Sequence, residues 1–340
     1  MKIIWLLLCF GITTAHADRV VNVYVGGGTL PKALIEAFEK QTNIRVNFST
    51  YDSNETMIAK LRSTHQVTYD VIMPSSYFVE RMRRANMLQA LDKKQLPNLK
   101  NLVTSFTQHD YDQDNHYSVP LFWGTTGIFY NNKWVKHPPQ SWRDLWQKRW
   151  KNQLMMLDDS RDVFAMALIQ LHHSPNEAKL STIKQAYLNL IKLMPNIKLF
   201  ASESIQAMMI DEDAIAGLAW NGDAYKAQHE NSAIQFVYPK EGFTVWIDCL
   251  AIPQNPPHPS EAHAFINFFL NAEVAATLAQ AQGFAITNEA GKALLPKAFL
   301  NDPTVYPNEE TLKRGIVQRD VGEETLTLYN YYWQALKLSF

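Results

Sequence analysis

Residues 19–73 carry the pattern that decides the fold: RVVNVYV (19–25), PKALIEAFEKQTN (31–43), IRVNFST (44–50), DSNETMIAKL (52–61) and DVIM (70–73). The first stretch is an apolar run of strand length. The second repeats apolar side chains at Leu34, Ile35, Ala37 and Phe38, which share one helical face. The third alternates as a strand. The fourth begins with Asp52 three residues before Glu55, the spacing of a helix-capping box, and places Met57, Ile58 and Leu61 on one face. Strand, helix, strand, helix, strand at this spacing predicts a parallel sheet covered by helices.

The rest of the chain repeats the theme. Helical periodicity runs over 162–173 and over 181–194, the latter with Ile183, Tyr187, Leu190, Ile191 and Met194 on one side; strands are expected at 214–219 and 245–253. Helices follow at 260–270 and 272–282, the second closed by Gly283. With 340 residues and no Gly/Ser-rich linker, the economical reading is two α/β lobes joined by strands that serve as a hinge. Their expected extents are 18–123 plus 248–300 and 124–247 plus 301–340.

Residues 1–17 differ from everything after them. Lys2 precedes an apolar run over 3–12, and Ala15-His16-Ala17 is a small-x-small cleavage pattern, so a removable export leader ending at Ala17 is expected. The run is too short to span a bilayer. Leu8 ahead of Cys9 is a poor match to a lipoprotein site, and loss of the leader leaves Cys249 alone, without an internal disulfide partner. It also leaves 31 basic against 33 acidic residues, a balance that argues against nucleic acid and anionic membrane surfaces as partners.

Two places suit a ligand with positive charge. Asp159 and Asp162 lie three apart at an expected helix start, where both carboxylates can face one side and the helix dipole helps keep them ionised; the same spacing also serves a capping box. In the strand around 245–253, period-two alternation sends Trp246 and Asp248 to one face, an indole for aliphatic stems beside a carboxylate for an ammonium. Other signals fail. The acidic run at 109–114 lacks the glycine and the glutamate of a calcium loop, Tyr331-Tyr332 reads as helix surface, and Gly26-Gly27-Gly28 matches no phosphate-loop pattern. No spaced metal ligands and no activated nucleophile are found, so no catalytic residue, metal or cofactor is expected.

The segments at 49–57, 69–77, 158–164, 220–222, 238–242, 246–253 and 318–322 together resemble the periplasmic spermidine/putrescine-binding proteins of ABC importers, in order and over nearly the whole mature chain. The resemblance implies an α/β Venus-flytrap architecture of the periplasmic-binding-protein type, two lobes closing on a ligand held between them. Position by position it implies ligand contacts from Ser75 and Tyr77, from Asp159, Asp162 and Trp220, from Trp246 and Asp248, and from Phe284 and Gln318. It implies a polyamine or related small cation as ligand, an inner-membrane ABC permease with its ATPase as partner, and a monomer in the periplasm. A sensor reporting such a ligand to a membrane receptor, or a binder of another cationic or amino-acid-like solute, would present the same cleft. Asp162 stands where the spermidine binder has Glu, and Phe284 replaces a Tyr. Gly26, Gly27, Gly28 and Thr29 stand where the family has aromatic walls, so that end of the cleft is expected to be roomier and less polar, or to turn its backbone N–H groups inward as an anion nest.

Overall fold

The structure is a computed structural model that describes residues 19–63, 68–106 and 108–340. The expected leader lies outside them.

The opening pattern folds as its periodicity requires. Strands Val20–Gly26, Arg45–Tyr51 and Val71–Ile72 are parallel, with helices Lys32–Thr42 and Asn54–Ser63 in the two crossovers. The first helix ends where Asn43 turns left-handed at φ 55° and donates its N–H to the Glu39 carbonyl. The second begins differently from expectation. Ser53, not Asp52, receives the Thr56 N–H, and Glu55 turns into the protein instead of back onto the cap.

The main sheet runs in the order Arg45–Tyr51, Val20–Gly26, Val71–Ile72, Phe243–Ala251, Ser118–Asn131, Ala216–Trp220, Leu154–Leu157, Ile197–Ala201. Its two flanks are parallel, as the βαβ pattern predicts. Its centre is antiparallel, because Ser118–Asn131 and Phe243–Ala251 cross the molecule in opposite directions. One half of the 14-residue crossing strand pairs with Ala285–Ile286, and the other with Ala216–Trp220 and Ile234–Val237.

Two large cores flank this crossing. One gathers Ile128, Trp142, Phe164, Leu218, Phe243 and Tyr329; the other gathers Val21, Phe38, Leu121, Leu250, Phe265 and Ile286. A smaller cluster of Tyr24, Met57, Tyr77, Phe78, Ile247 and the buried free Cys249 lies beside the second. The acidic run at 109–114 is a turn, with the Asp112 carboxylate accepting backbone N–H groups of His116, Tyr117 and Ser118. Among the described residues no helix is long and apolar enough to cross a membrane.

A buried ion pair ties the Ser76–Arg84 helix to the chain after the Gly315–Val317 strand. Arg81 meets Asp320 at 2.6 Å with side chains 7% and 6% exposed, and a second nitrogen reaches Glu323 at 3.0 Å. Removing one partner of such a pair strands the other charge in a dry site. Arg81→Met is therefore expected to cost about 3 kcal/mol or more in urea unfolding, and Arg81→Met with Asp320→Leu to recover much of it. A loss below about 1 kcal/mol in the single variant would show that the pair is not a fastening of the fold.

Candidate functional site

The crossing strands open onto a cleft of about 580 Å³ between the two large cores. Every sequence-predicted site residue lines it: Ser75, Tyr77, Asp159, Asp162, Trp220, Trp246, Asp248, Phe284 and Gln318.

Asp162 is the most heavily bonded of them. Its Oδ1 accepts from Thr126 Oγ1 at 2.9 Å, Thr244 Oγ1 at 3.2 Å and Gln318 Nε2 at 3.2 Å, and its Oδ2 accepts from Trp220 Nε1 at 2.8 Å. Asp159 caps the Ser160–Gln170 helix by accepting the Asp162 N–H at 2.9 Å. The capping box is thus only half made, since the Asp162 side chain faces the cleft instead of returning to the cap. Helix-dipole stabilisation does not win here. Burial, followed by the charge of Asp159, pushes the Asp162 carboxyl up to about 7, and burial also raises Asp159.

Asp248 forms the second acidic position. Strand alternation places it beside Trp246, with Ile247 in the core behind, as the sequence predicts. Ser75 Oγ donates to Asp248 Oδ1 at 2.6 Å, and Asn54 holds Ser75 in turn by accepting its N–H at 3.0 Å and donating to its Oγ at 3.1 Å. Burial pushes Asp248 up to about 6, against the opposing hydrogen bond from Ser75. Aromatic rings close the wall: Trp246 stands edge-on to Phe284 with centroids 4.9 Å apart, and Phe284 stacks on Phe122 at 5.4 Å. Only glycine admits these rings, for a Cβ at Gly124 or Gly222 would lie 2.3 Å from Trp246 or Phe284 respectively.

Gly26, Gly27, Gly28 and Thr29 do line the cleft. They are not an anion nest, because the Gly27 N–H is given to the Tyr51 carbonyl and the Thr29 N–H to the Gly26 carbonyl. Glu203 approaches Gly27 and Gln282 donates to the Gly28 carbonyl at 2.9 Å, and Asp52, Asp223 and Lys226 also line the cleft, all unmarked by sequence reasoning because they lie far apart in the chain. Thr126 and Thr244 were missed for another reason, since threonine in a strand reads as an ordinary β-former. Glu55 sits behind Tyr77, pushed up to about 7 by burial and by Asp159, with one oxygen buried and unpartnered among the described residues. No group of metal-ligating side chains occurs among the described residues.

A family model described as bacterial extracellular solute-binding protein matches residues 33–307. The chain belongs to that family. This solute-binding protein is 40% identical over 333 residues to the spermidine/putrescine-binding periplasmic protein of Escherichia coli strain K12, covering 97% of this chain and 95% of that one. It is 39% identical to the spermidine/putrescine-binding periplasmic protein 1 of Haemophilus influenzae, covering 95% and 90%. Among solved structures, a spermidine/putrescine ABC transporter protein of Listeria monocytogenes superposes with a TM-score of 0.92 at 33% identity, covering 95% of this chain and all of that one. The fold is the two-lobed periplasmic-binding-protein fold.

The buried carboxyls give the protein a pH signature. Asp162, Asp248 and Glu55 all have folded-state values above their unfolded ones of 3.8, 3.8 and 4.5, so the folded protein holds extra protons between these limits. Their contribution to stability is full below about pH 4 and is lost as pH rises through 6 to 7. The melting temperature of the ligand-free protein is expected to fall between pH 5 and pH 8, and less steeply in Asp248→Asn. A melting temperature that stays flat or rises over that interval would contradict the assignment.

Proposed function

We propose that this solute-binding protein captures a polyamine between its lobes in the periplasm and, as a monomer, delivers it to an inner-membrane ABC permease with its ATPase. The observation that carries the reading is two acidic positions in one cleft, buried at Asp162 and half-buried at Asp159 and Asp248, each with an indole beside it: Asp159 and Asp162 with Trp220, and Asp248 with Trp246. A buried carboxylate without a cation is costly, and an ammonium relieves that cost by ionising it in place. An indole face attracts the same cation and packs the methylenes that follow it. A linear molecule with an amine at each end and an aliphatic stem satisfies both positions at once.

The roles divide by bonding. Asp162 already accepts four protein donors, so most of its lone pairs are spent in fixing Trp220 and Gln318. Asp159 accepts backbone N–H groups of Asp162 and Arg161 at the helix start and no side-chain donor among the described residues, which leaves lone pairs for the ligand. Ser75 and Asn54 orient Asp248. The names of the relatives support the polyamine class, and the lobe extents expected from the sequence give the closing bodies, with the strands through 124 and 247 as hinge.

Calorimetric titration with putrescine, norspermidine and spermidine at pH 8 tests this. Micromolar or tighter binding of at least one is expected, with Asp248→Asn and Asp159→Asn each weakening it by about 1.5–3 kcal/mol while both variants stay folded, Asp248→Asn melting at or above the parent at this pH. Unchanged affinity in both folded variants would remove these carboxylates from the site.

A further inference from the structure

The strand Gly315–Val317 runs beside Phe243–Val245 and stops one residue short of Gln318, whose N–H makes the last bond to the sheet, to the Val245 carbonyl at 3.0 Å. Beyond it the chain has no helix or strand until the Glu323–Lys337 helix. Yet Gln318 is only 4% exposed, and its Nε2 reaches Asp162 in the cleft wall. A long amide side chain just past a strand end holds such a direction only where the backbone on either side of it is fixed.

Asn176 does this from outside the cleft lining. It lies half-buried in a turn after the Ser160–Gln170 helix, and its side chain brackets Gln318: Nδ2 donates to the Val317 carbonyl at 2.9 Å, and Oδ1 accepts the Arg319 N–H at 2.8 Å. One amide, donor and acceptor together, thus binds the residue before Gln318 and the residue after it. Arg161 reinforces the bracket from the helix start that carries Asp159 and Asp162. Its buried guanidinium donates to Asn176 Oδ1 and to the Arg319 carbonyl, both at 3.3 Å, and lies 5.0 Å from the Tyr77 ring and 5.6 Å from that of Tyr329. Asn176 is steadied in turn by donating its own N–H to Ser174 Oγ at 3.1 Å. The Arg319 side chain adds little, because its pair with Asp110 is exposed on both sides.

Building on the polyamine reading, we propose that Asn176 is a positioning residue for ligand capture: by holding the backbone on both sides of Gln318, it aims the Gln318 amide at Asp162 and at the bound amine. Gln318 makes no other side-chain hydrogen bond among the described residues, so its Oε1 remains an acceptor for an ammonium. Without the bracket the amide keeps its chemistry but must be ordered each time a ligand binds, which weakens binding.

Calorimetry with spermidine at pH 8 in the full mature chain, comparing Asn176→Ala, Gln318→Ala and the two together, tests the coupling. Asn176→Ala is expected to weaken binding about two- to ten-fold, the scale of one lost hydrogen bond, and to add nothing once Gln318 is replaced. Should Asn176→Ala fail to fold, Asn176→Ser takes its place in the cycle. Asn176→Asp keeps the acceptor for Arg319 and Arg161 and should restore most of the affinity. Asn308→Ala, which removes a comparable side-chain bond to the Thr311 backbone outside the cleft, should leave it unchanged. The ligand-free protein gives a second readout. The pH midpoint of the fluorescence change that is lost in Trp220→Phe reports Asp162, and removal of the Gln318 bond should move that midpoint upward alike in Asn176→Ala and Gln318→Ala. Parent affinity in folded Asn176→Ala, losses that add in the double variant, or an equal loss in Asn308→Ala would overturn the bracket while leaving polyamine capture standing. If the parent binds none of putrescine, norspermidine and spermidine, the polyamine reading falls and the bracket is judged on the midpoint, an unmoved value in Asn176→Ala overturning it.

Discussion

The carboxylate of Asp162 is the constraint around which the binding half of the molecule is arranged. Its donors come from the first crossing strand through Thr126, from the second through Thr244, from the strand before Trp220, and from the segment carrying Gln318. One buried acid thus gathers both strands that connect the lobes and fixes an indole at the cleft. Such an arrangement is stable only if every lone pair is used, since a buried acceptor left open costs more than a hydrogen bond returns. The remaining cost is desolvation of the charge, visible as a carboxyl pushed up to about 7. In the proposed function a ligand cation removes that cost, which would link affinity to the same bonds that hold the crossing strands together.

Closure follows from the same layout. The ion pairs of Arg81 with Asp320 and Glu323, and the approach of Glu203 to Gly27, lie away from the two crossing strands and depend on how the parts around the cleft meet. If the ligand bridges Asp248 and Asp159 as proposed, it binds a closed arrangement better than an open one, and that difference in affinity suffices to shift the protein on binding.

Much of this was legible in the sequence because it is local. Asn43 and Gly283 end their helices in the left-handed conformation, as expected of the residue types, and alternation alone put Trp246 and Asp248 on one face. The resemblance added Ser75, Tyr77, Trp220, Phe284 and Gln318, lining positions that spacing could not supply. What stayed hidden depends on long-range juxtaposition. Ser75 meets Asp248 across 173 residues, and Glu203 meets Gly27 across the cleft, with no pattern in either segment to announce it. The cap at Ser53 was misassigned because Asp52 and Glu55 have box spacing, while burial of Glu55 near Asp159 and Arg161 is decided by tertiary packing.

In the proposed function an ammonium ligand ionises carboxyls that burial in the cleft keeps partly protonated. Counting protons during spermidine binding, by calorimetry in buffers of differing ionisation enthalpy, tests it most directly. Net proton release is expected at pH 6.5, from Asp162 and Asp248, disappearing by pH 8, with affinity rising over the same interval. Tight binding at pH 6.5 with no proton released would contradict it.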